Sequence, residues 1–200
     1  MTTNMFDELG IEDETLARLH RRLERAADTD NMLDVAYRTI DTPVGTLLLA
    51  ATTRGLVRVA YDIEGHDAVL GKLADAVSPR VLRAPARLDA VARQLDEYFA
   101  KRRTVFEVPV DLRLAEGFRR RVLEHLRDIS YGHRESYATV ATAIGHPRAV
   151  RAVGTACARN PLPVVIPCHR VVRSDGSTGQ YAGGPLAKSR LLDLEAAKRE

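Results

Sequence analysis

An α+β fold in two parts is predicted by three features of the 200-residue chain: strand-like segments near the start, amphipathic helices behind them, and a second half of short helices and loops. At roughly 150 residues per domain the length admits one large or two small domains. A balance of 45% hydrophobic to 28% charged residues suits a chain with a buried core. The strand-like part is VAYRTID, GTLLLAAT and LVRVAYD, separated by Thr42-Pro43-Val44-Gly45 and Arg54-Gly55, and it reads as a meander of three antiparallel strands. HDAVLGKLADAV reads as a helix. ARLDAVARQLDEYFAKRR reads as a stronger one, with Leu88, Val91, Ala92, Leu95 and Phe99 along one stripe, and VFEVPVDL as a further extended segment ending near Leu112.

Ahead of this unit, Leu16, Leu19, Leu23 and Ala27 recur at helical spacing, so a short amphipathic helix is expected, fading into a polar linker over Ala27 to Asn31. Behind it, Phe118, Val122, Leu126 and Ile129 mark a helix that Tyr131-Gly132 ends. Ser136 is placed to cap the next helix, TVATAIG, which Gly145 closes. Pro147 suits the first turn of the following helix, RAVRAVGTACAR, and Asn160-Pro161 terminates it. Two short helices joined by a tight glycine-containing turn make a helix-turn-helix candidate. The expected organisation is an acidic extension over 1–34, an α+β domain over 35–112 and a helical domain over 113–200.

Charge follows the same divisions. Residues 1–34 carry nine acids against four arginines, a net of −5, whereas residues 113–190 carry thirteen Lys or Arg against five acids, a net of +8. A basic second half suggests an anionic partner, with double-stranded DNA the first candidate. On the last helix of the pair, Val150, Val153 and Cys157 form a buried stripe, while Arg148, Arg151, Thr155 and Arg159 follow the opposite face among small residues. Such a helix can approach a phosphate backbone closely and send an arginine into the minor groove. A solvated polar face is the plainer alternative.

The chemistry-bearing run is Pro161-Leu-Pro-Val-Val-Ile-Pro-Cys168-His169-Arg170. A buried strand over Val164 to Ile166 is expected to lead into a thiol beside an imidazole and a guanidinium. Cysteine attacks as the thiolate, with a free pKa of about 8.5 that neighbouring positive charge and a base can lower. The base in turn needs an orienting carboxylate. In the terminal helix PLAKSRLLDLEAAKRE, Glu195 shares the inward side with Leu191 and Leu194, while the competitor Asp193 faces away. Between them SDGSTGQYAGG is a glycine loop able to bring Tyr181 and backbone N–H groups up to a ligand.

No apolar run reaches the roughly 18 residues of a membrane span, and the start of the chain is acidic where a secretory signal is basic and apolar. A cytoplasmic protein with its two thiols, Cys157 and Cys168, reduced is expected, without membrane, metal or cofactor. Cys157, His146, Cys168 and His169 make a poor metal set, because Cys157 belongs to a buried stripe and Cys168 is wanted as a nucleophile.

The runs RESYATVATAIGHPRAVRAVGTACARNPLPVVIPCHRVV and GSTGQYAGG, together with KSRLLDLE, closely resemble the methylated-DNA-protein-cysteine methyltransferases, which repair guanine alkylated at O6. TIDTPVGTLLLAAT resembles that family's first hairpin, which extends the likeness from about Val35. The resemblance implies a ribonuclease-H-like amino-terminal domain, a helical DNA-binding domain with a helix-turn-helix, and a single-turnover reaction in which the protein keeps the alkyl group. It implies Cys168 as acceptor, His169 as the base activating it through a water, Glu195 as the carboxylate orienting His169, and Asn160 as the brace of the active-site turn. Arg151 corresponds to the arginine that replaces the extruded base, and Tyr137 to the tyrosine that helps rotate the nucleotide out, also a candidate proton donor. Tyr181, Ala182 and Gly183 correspond to the loop closing over the guanine, with Ala182 where some members carry serine. Arg170 supports the site, and Arg148, Thr155 and Arg159 join Arg151 and Tyr137 as DNA contacts. Self-association along DNA is a further expectation, and a non-catalytic damage-binding or redox-sensing DNA-binding protein is the alternative reading.

Overall fold

A computed structural model describes residues 13–29 and 32–196. The first twelve residues of the acidic extension and the Asp30-Asn31 part of the expected linker lie outside the described residues. The helix expected near the start is α1 (Asp13–Thr29), which runs on through Thr29 where a linker was expected to begin at Ala27; the Met32 amide closes it on the Ala27 carbonyl at 2.8 Å. It rests on the first unit beside Arg83, whose carbonyl His20 Nε2 meets at 2.6 Å, and it leaves Leu19 and Leu23 half exposed. Over these residues the acidic extension is a docked helix.

The meander is present as β1 (Val35–Ile40), β2 (Leu47–Thr52) and β3 (Gly55–Tyr61), paired antiparallel in that order. A fourth strand that the sequence did not reveal, β4 (Val81–Arg83), pairs parallel with β1 and gives the sheet order β3-β2-β1-β4. Its three residues are too few to show a period. The sheet is covered on both faces. Leu47 and Leu49 turn towards α3 (Asp89–Phe99), while Leu48 and Ala50 turn towards α2 (His66–Ala76), so LLLA is buried throughout rather than on alternate residues. The stretch 106–111 is extended, shorter than expected, since Val105 lies in a bend and Leu112 already opens a 3-10 turn. It follows the start of β3 through Leu56 N to the Pro109 carbonyl at 2.9 Å and Asp111 N to the Leu56 carbonyl at 2.8 Å.

The second half packs α4 (Gly117–Leu126), α5 (Tyr137–Ala143), α6 (Val150–Ala158) and α7 (Gly184–Ala196) around Val122, Leu123, Leu126, Val140, Val153 and Leu191, continuous with the core under the sheet. Two residues, β5 (Glu135–Ser136), pair parallel with β6 (Val171–Val172). Ser136 caps α5 as expected, accepting from the Thr139 amide at 3.0 Å. Pro147 does not open α6. The Ala149 amide bonds the His146 carbonyl at 2.8 Å, so Pro147 occupies the second position of a β-turn, where its fixed φ is equally favoured, and α6 starts at Val150.

The strand expected over Val164 to Ile166 is instead a compact turn. Pro161, Pro163 and Pro167 withhold the amides a ladder would need, Val164 sits at φ +71°, and Ile166 N closes on the Leu162 carbonyl at 2.8 Å. Leu162, Val164 and Ile166 are buried all the same and Val165 is half-buried, because the turn plugs the core between the two halves. The Pro161 carbonyl accepts from the Val59 amide of β3 at 2.8 Å, tying the turn to the sheet.

Candidate active site

This buried turn delivers Cys168 to the core, 2% exposed. Asn160, just past α6, holds the turn from inside: its Nδ2 donates to the Ile166 carbonyl at 2.8 Å and to Cys168 Sγ at 3.1 Å, and its Oδ1 accepts from the Leu162 amide at 2.9 Å. Burial pushes the Cys168 thiol up to about 11, against the Asn160 hydrogen bond and the Lys188 charge, both of which favour the thiolate. At neutral pH the resting sulfur is therefore a thiol, and its chemistry requires a base.

His169 and Arg170 follow on the same short 3-10 turn, both buried, and both turn to Glu195 of α7. His169 Nε2 lies 2.9 Å from Glu195 Oε1, while Arg170 donates from Nε to Oε2 and from Nη2 to Oε1, each at 2.9 Å. The carboxylate also accepts from the Tyr98 hydroxyl at 2.7 Å and the Gly132 amide at 3.2 Å. Burial alone would raise the Glu195 pKa, but the hydrogen bonds from His169 and Arg170 and the Arg170 charge prevail and hold it far below the usual carboxylate range. With its Nε2–H committed to a carboxylate, His169 keeps Nδ1 as the basic nitrogen, and burial lowers the pKa of the ring, so it is neutral at rest. Nδ1 is buried and has no hydrogen-bond partner among the described residues. Asp193 is exposed, as its place on α7 predicts.

Arg170 was expected to place positive charge beside the thiol. Its guanidinium goes instead to Glu195 and the Ile129 carbonyl, and the cation that favours the thiolate is Lys188, fully buried on α7 with Nζ 2.6 Å from the Val171 carbonyl and 5.8 Å from the Tyr137 ring centroid. Tyr137 is half-buried at the start of α5. Burial pushes its hydroxyl up to about 12, so it stays protonated and able to donate. A Cβ on Gly179 would overlap that hydroxyl, so the glycine loop lies directly against Tyr137. Tyr181 is buried, its hydroxyl 3.1 Å from that of Tyr61 on β3, and a Cβ on Gly183 would come within 2.6 Å of the Tyr61 ring. Ala182 is half-buried beside them.

Arg151 and Thr155 are exposed along the outer face of α6, with Thr155 Oγ1 bonded back to the Arg151 carbonyl. Arg148 is exposed too, but in the turn before the helix. Arg159, just past the helix, lines a cleft of about 350 Å³ with Arg58, Glu64 and Lys72 of the first unit. The structure thus gathers Asn160 with Cys168, and His169 and Arg170 with Glu195, into two adjoining buried clusters and sets Tyr137, Tyr181 and Gly183 around the glycine loop. Cys157 lies on the buried face of α6 itself, and His146 stands on the exposed turn against Phe118. Among the described residues no group of three His, Cys, Asp or Glu side chains could hold a metal ion.

Comparison with known proteins places both halves. Residues 35–112 match the 6-O-methylguanine DNA methyltransferase ribonuclease-like domain, and residues 117–197 match the DNA binding domain of the same family. The chain belongs to the 6-O-methylguanine DNA methyltransferase family. A methylated-DNA–protein-cysteine methyltransferase of Mycobacterium bovis is 36% identical over 170 residues, 82% of this chain and 94% of the relative. The bifunctional transcriptional activator/DNA repair enzyme Ada of Escherichia coli is 36% identical over 190 residues, and the chain spans about half of its length, 52%. The crystal structure of Mycobacterium tuberculosis OGT in complex with DNA superposes with a TM-score of 0.67 at 36% identity, over 80% of this chain and 92% of that one.

The family's α+β architecture, a ribonuclease-like domain with a mixed sheet followed by a helical DNA-binding domain, is the fold expected from the sequence. In this methyltransferase, sequence reasoning missed Lys188, Tyr98, Tyr61 and the Gly132 amide. Lys188 stands at i, i+3, i+7 with Leu191 and Glu195, so the stripe that selected Glu195 over Asp193 also contained it. Tyr98 lies beside Phe99 on α3 and is the more buried of the two. Tyr61 and Gly132 meet the site through tertiary contacts alone.

Proposed function

We infer that this chain is a DNA repair methylated-DNA–protein-cysteine methyltransferase, binding DNA and taking the alkyl group from O6 of guanine onto Cys168. The observation that carries the assignment of the acceptor is the buried thiol held by Asn160 beside an imidazole anchored on Glu195. An O6-alkyl guanine is stacked in duplex DNA, so it must leave the helix at a cost of a few kcal/mol to reach a buried sulfur. Arg151 and Thr155, presented by a helix of small residues, approach through the minor groove, and Arg151 fills the gap in the stack. Arg148 adds a phosphate contact from the preceding turn, and Tyr137 guides the rotating nucleotide. Tyr181, Ala182 and Gly183 close over the guanine.

Inside the pocket the Cys168 proton passes to His169 through a water, and Glu195 holds the imidazolium formed. The S–C bond forms as the C–O6 bond breaks, the bonding pair going to the guanine, which takes a proton from the Tyr137 hydroxyl. The product thioether has no easy leaving pathway, so each molecule reacts once. A cytoplasmic setting, where thiols are kept reduced, suits a protein that depends on one. Incubation with duplex DNA containing O6-methylguanine, followed by intact-mass and peptide analysis, is expected to find one methyl on the Cys168 peptide, with Cys168→Ala binding but not transferring. Binding without transfer by the unaltered protein would leave it a non-catalytic damage binder.

A further inference from the structure

We propose that Tyr98, carried by the sheet-bearing unit, is a positioning residue that sets the proton affinity of His169 through the carboxylate of Glu195. Tyr98 is fully buried on α3, ringed by Phe99, Phe106 and Tyr131 at centroid distances of 5.2, 5.3 and 6.0 Å. A phenylalanine would fill such an aromatic cluster equally well. The hydroxyl has a specific destination, Glu195 Oε1 at 2.7 Å, the same oxygen that faces His169 Nε2 and Arg170 Nη2 at 2.9 Å. The second oxygen takes Arg170 Nε and the Gly132 amide. Five donors therefore share a carboxylate with about four lone-pair sites, and three of them compete on the oxygen that faces the imidazole.

That competition weakens what Glu195 offers His169. A carboxylate with fewer donors concentrates its charge on the remaining ones and favours the imidazolium; each added donor draws charge away and favours neutral imidazole. The other groups around the pair do not replace Tyr98. Arg170 draws on both oxygens of the same carboxylate and, like Lys188, disfavours the imidazolium by its charge; Tyr181 meets the His169 ring edge-on at 6.3 Å, Asn160 is spent on Cys168 and its turn, and the Tyr131 hydroxyl goes to the Leu194 carbonyl. Burial, followed by the neighbouring Glu195 charge, keeps the Tyr98 hydroxyl protonated far above its ordinary range, so it donates at every working pH. Through this bond the sheet-bearing unit acts on the reaction without touching the substrate.

The proposal rests on the reading of His169 as the base for Cys168, and its test separates the two. The ring nitrogens of His169 are titrated by NMR in 15N-histidine-labelled protein, alongside the pH profile of single-turnover transfer from free O6-benzylguanine. In Tyr98→Phe, the His169 midpoint is expected to rise by about half a pH unit or more, and the acid limb of transfer to move up with it. 3,5-Difluorotyrosine at position 98, a stronger donor that burial still keeps protonated, is expected to lower both, and it carries the test alone if Tyr98→Phe does not fold. A His169 midpoint unmoved by either substitution, or moved in the same direction by both, overturns the proposal. Transfer that ignores the His169 titration in the unaltered protein overturns the base assignment instead, and the NMR midpoints still decide the role of Tyr98.

Discussion

Asn160 bonds Cys168 Sγ and the Ile166 carbonyl with one amide nitrogen, so a single side chain holds both the thiol and the turn that carries it. Asn160→Ala would leave the buried Leu162 amide unpaired and the Ile166 carbonyl with the Cys168 amide as its remaining donor, the orphaned amide costing about 1–3 kcal/mol before relaxation. A net loss of about 1–3 kcal/mol is expected in urea unfolding. The thiolate also loses its donor, so transfer should begin to rise at a higher pH than in the unaltered protein. An unchanged pH profile would reduce Asn160 to a support of the turn.

Lys188 supplies the cation that favours the Cys168 thiolate. Lys188→Met keeps a similar volume and removes the charge, so transfer at neutral pH should fall by about tenfold or more, equivalent to about 1.4 kcal/mol. DNA affinity should stay within about twofold, since Lys188 is fully buried. Loss of affinity matching the loss of rate would place the residue in DNA binding instead.

Much of this site was legible because its chemistry lies in contiguous or periodic residues. Cys168, His169 and Arg170 are adjacent, and the helical period of α7 separates Glu195 from Asp193. The destination of each side chain was less legible. Arg170, next in sequence to the imidazole, turns to the carboxylate, whereas Lys188, twenty residues beyond the thiol, provides the nearby charge. The three prolines around Val164 to Ile166 argued against a ladder, yet the apolar run read as a strand because periodicity cannot tell a buried strand from a buried turn. Tyr61 and Tyr98 reach the site only because the sheet and α3 pack against the turn and α7, a long-range fact with no local signature.

Glu195 gives the fold an acid-sensitive point. Its folded-state pKa is depressed, so the stability it contributes is complete above its ordinary value near 4.5 and drains as pH falls below that. Glu195→Gln leaves Arg170 a buried cation without its partner, and a loss of about 3–5 kcal/mol is expected at neutral pH. The variant's unfolding free energy should also vary less between about pH 4.5 and the acid transition. Parallel curves for the two proteins would show that Glu195 titrates normally in the folded state.

Gly183 has no room for a side chain, since a Cβ would lie 2.6 Å from the Tyr61 ring. Gly183→Ala should displace the loop that holds Tyr181 and weaken transfer from free O6-benzylguanine chiefly through affinity. Tyr61→Ala removes the obstructing ring and should restore part of that affinity in the double variant, a coupling detectable as non-additivity. Strict additivity would show that the clash is relieved elsewhere.

Arg151 stands exposed on α6, outside the buried clusters around Cys168 and Glu195. If it occupies the space of the extruded guanine, its worth is confined to substrates that must leave a duplex. Arg151→Ala should then slow transfer from O6-methylguanine in duplex DNA by about tenfold or more, because unstacking costs a few kcal/mol. Transfer from free O6-benzylguanine should change by less than about twofold, since no base is extruded. Single-turnover rates on both substrates at saturating protein separate this from weaker binding. Equal losses on both would show that Arg151 acts within the pocket, and equal retention that another side chain fills the stack.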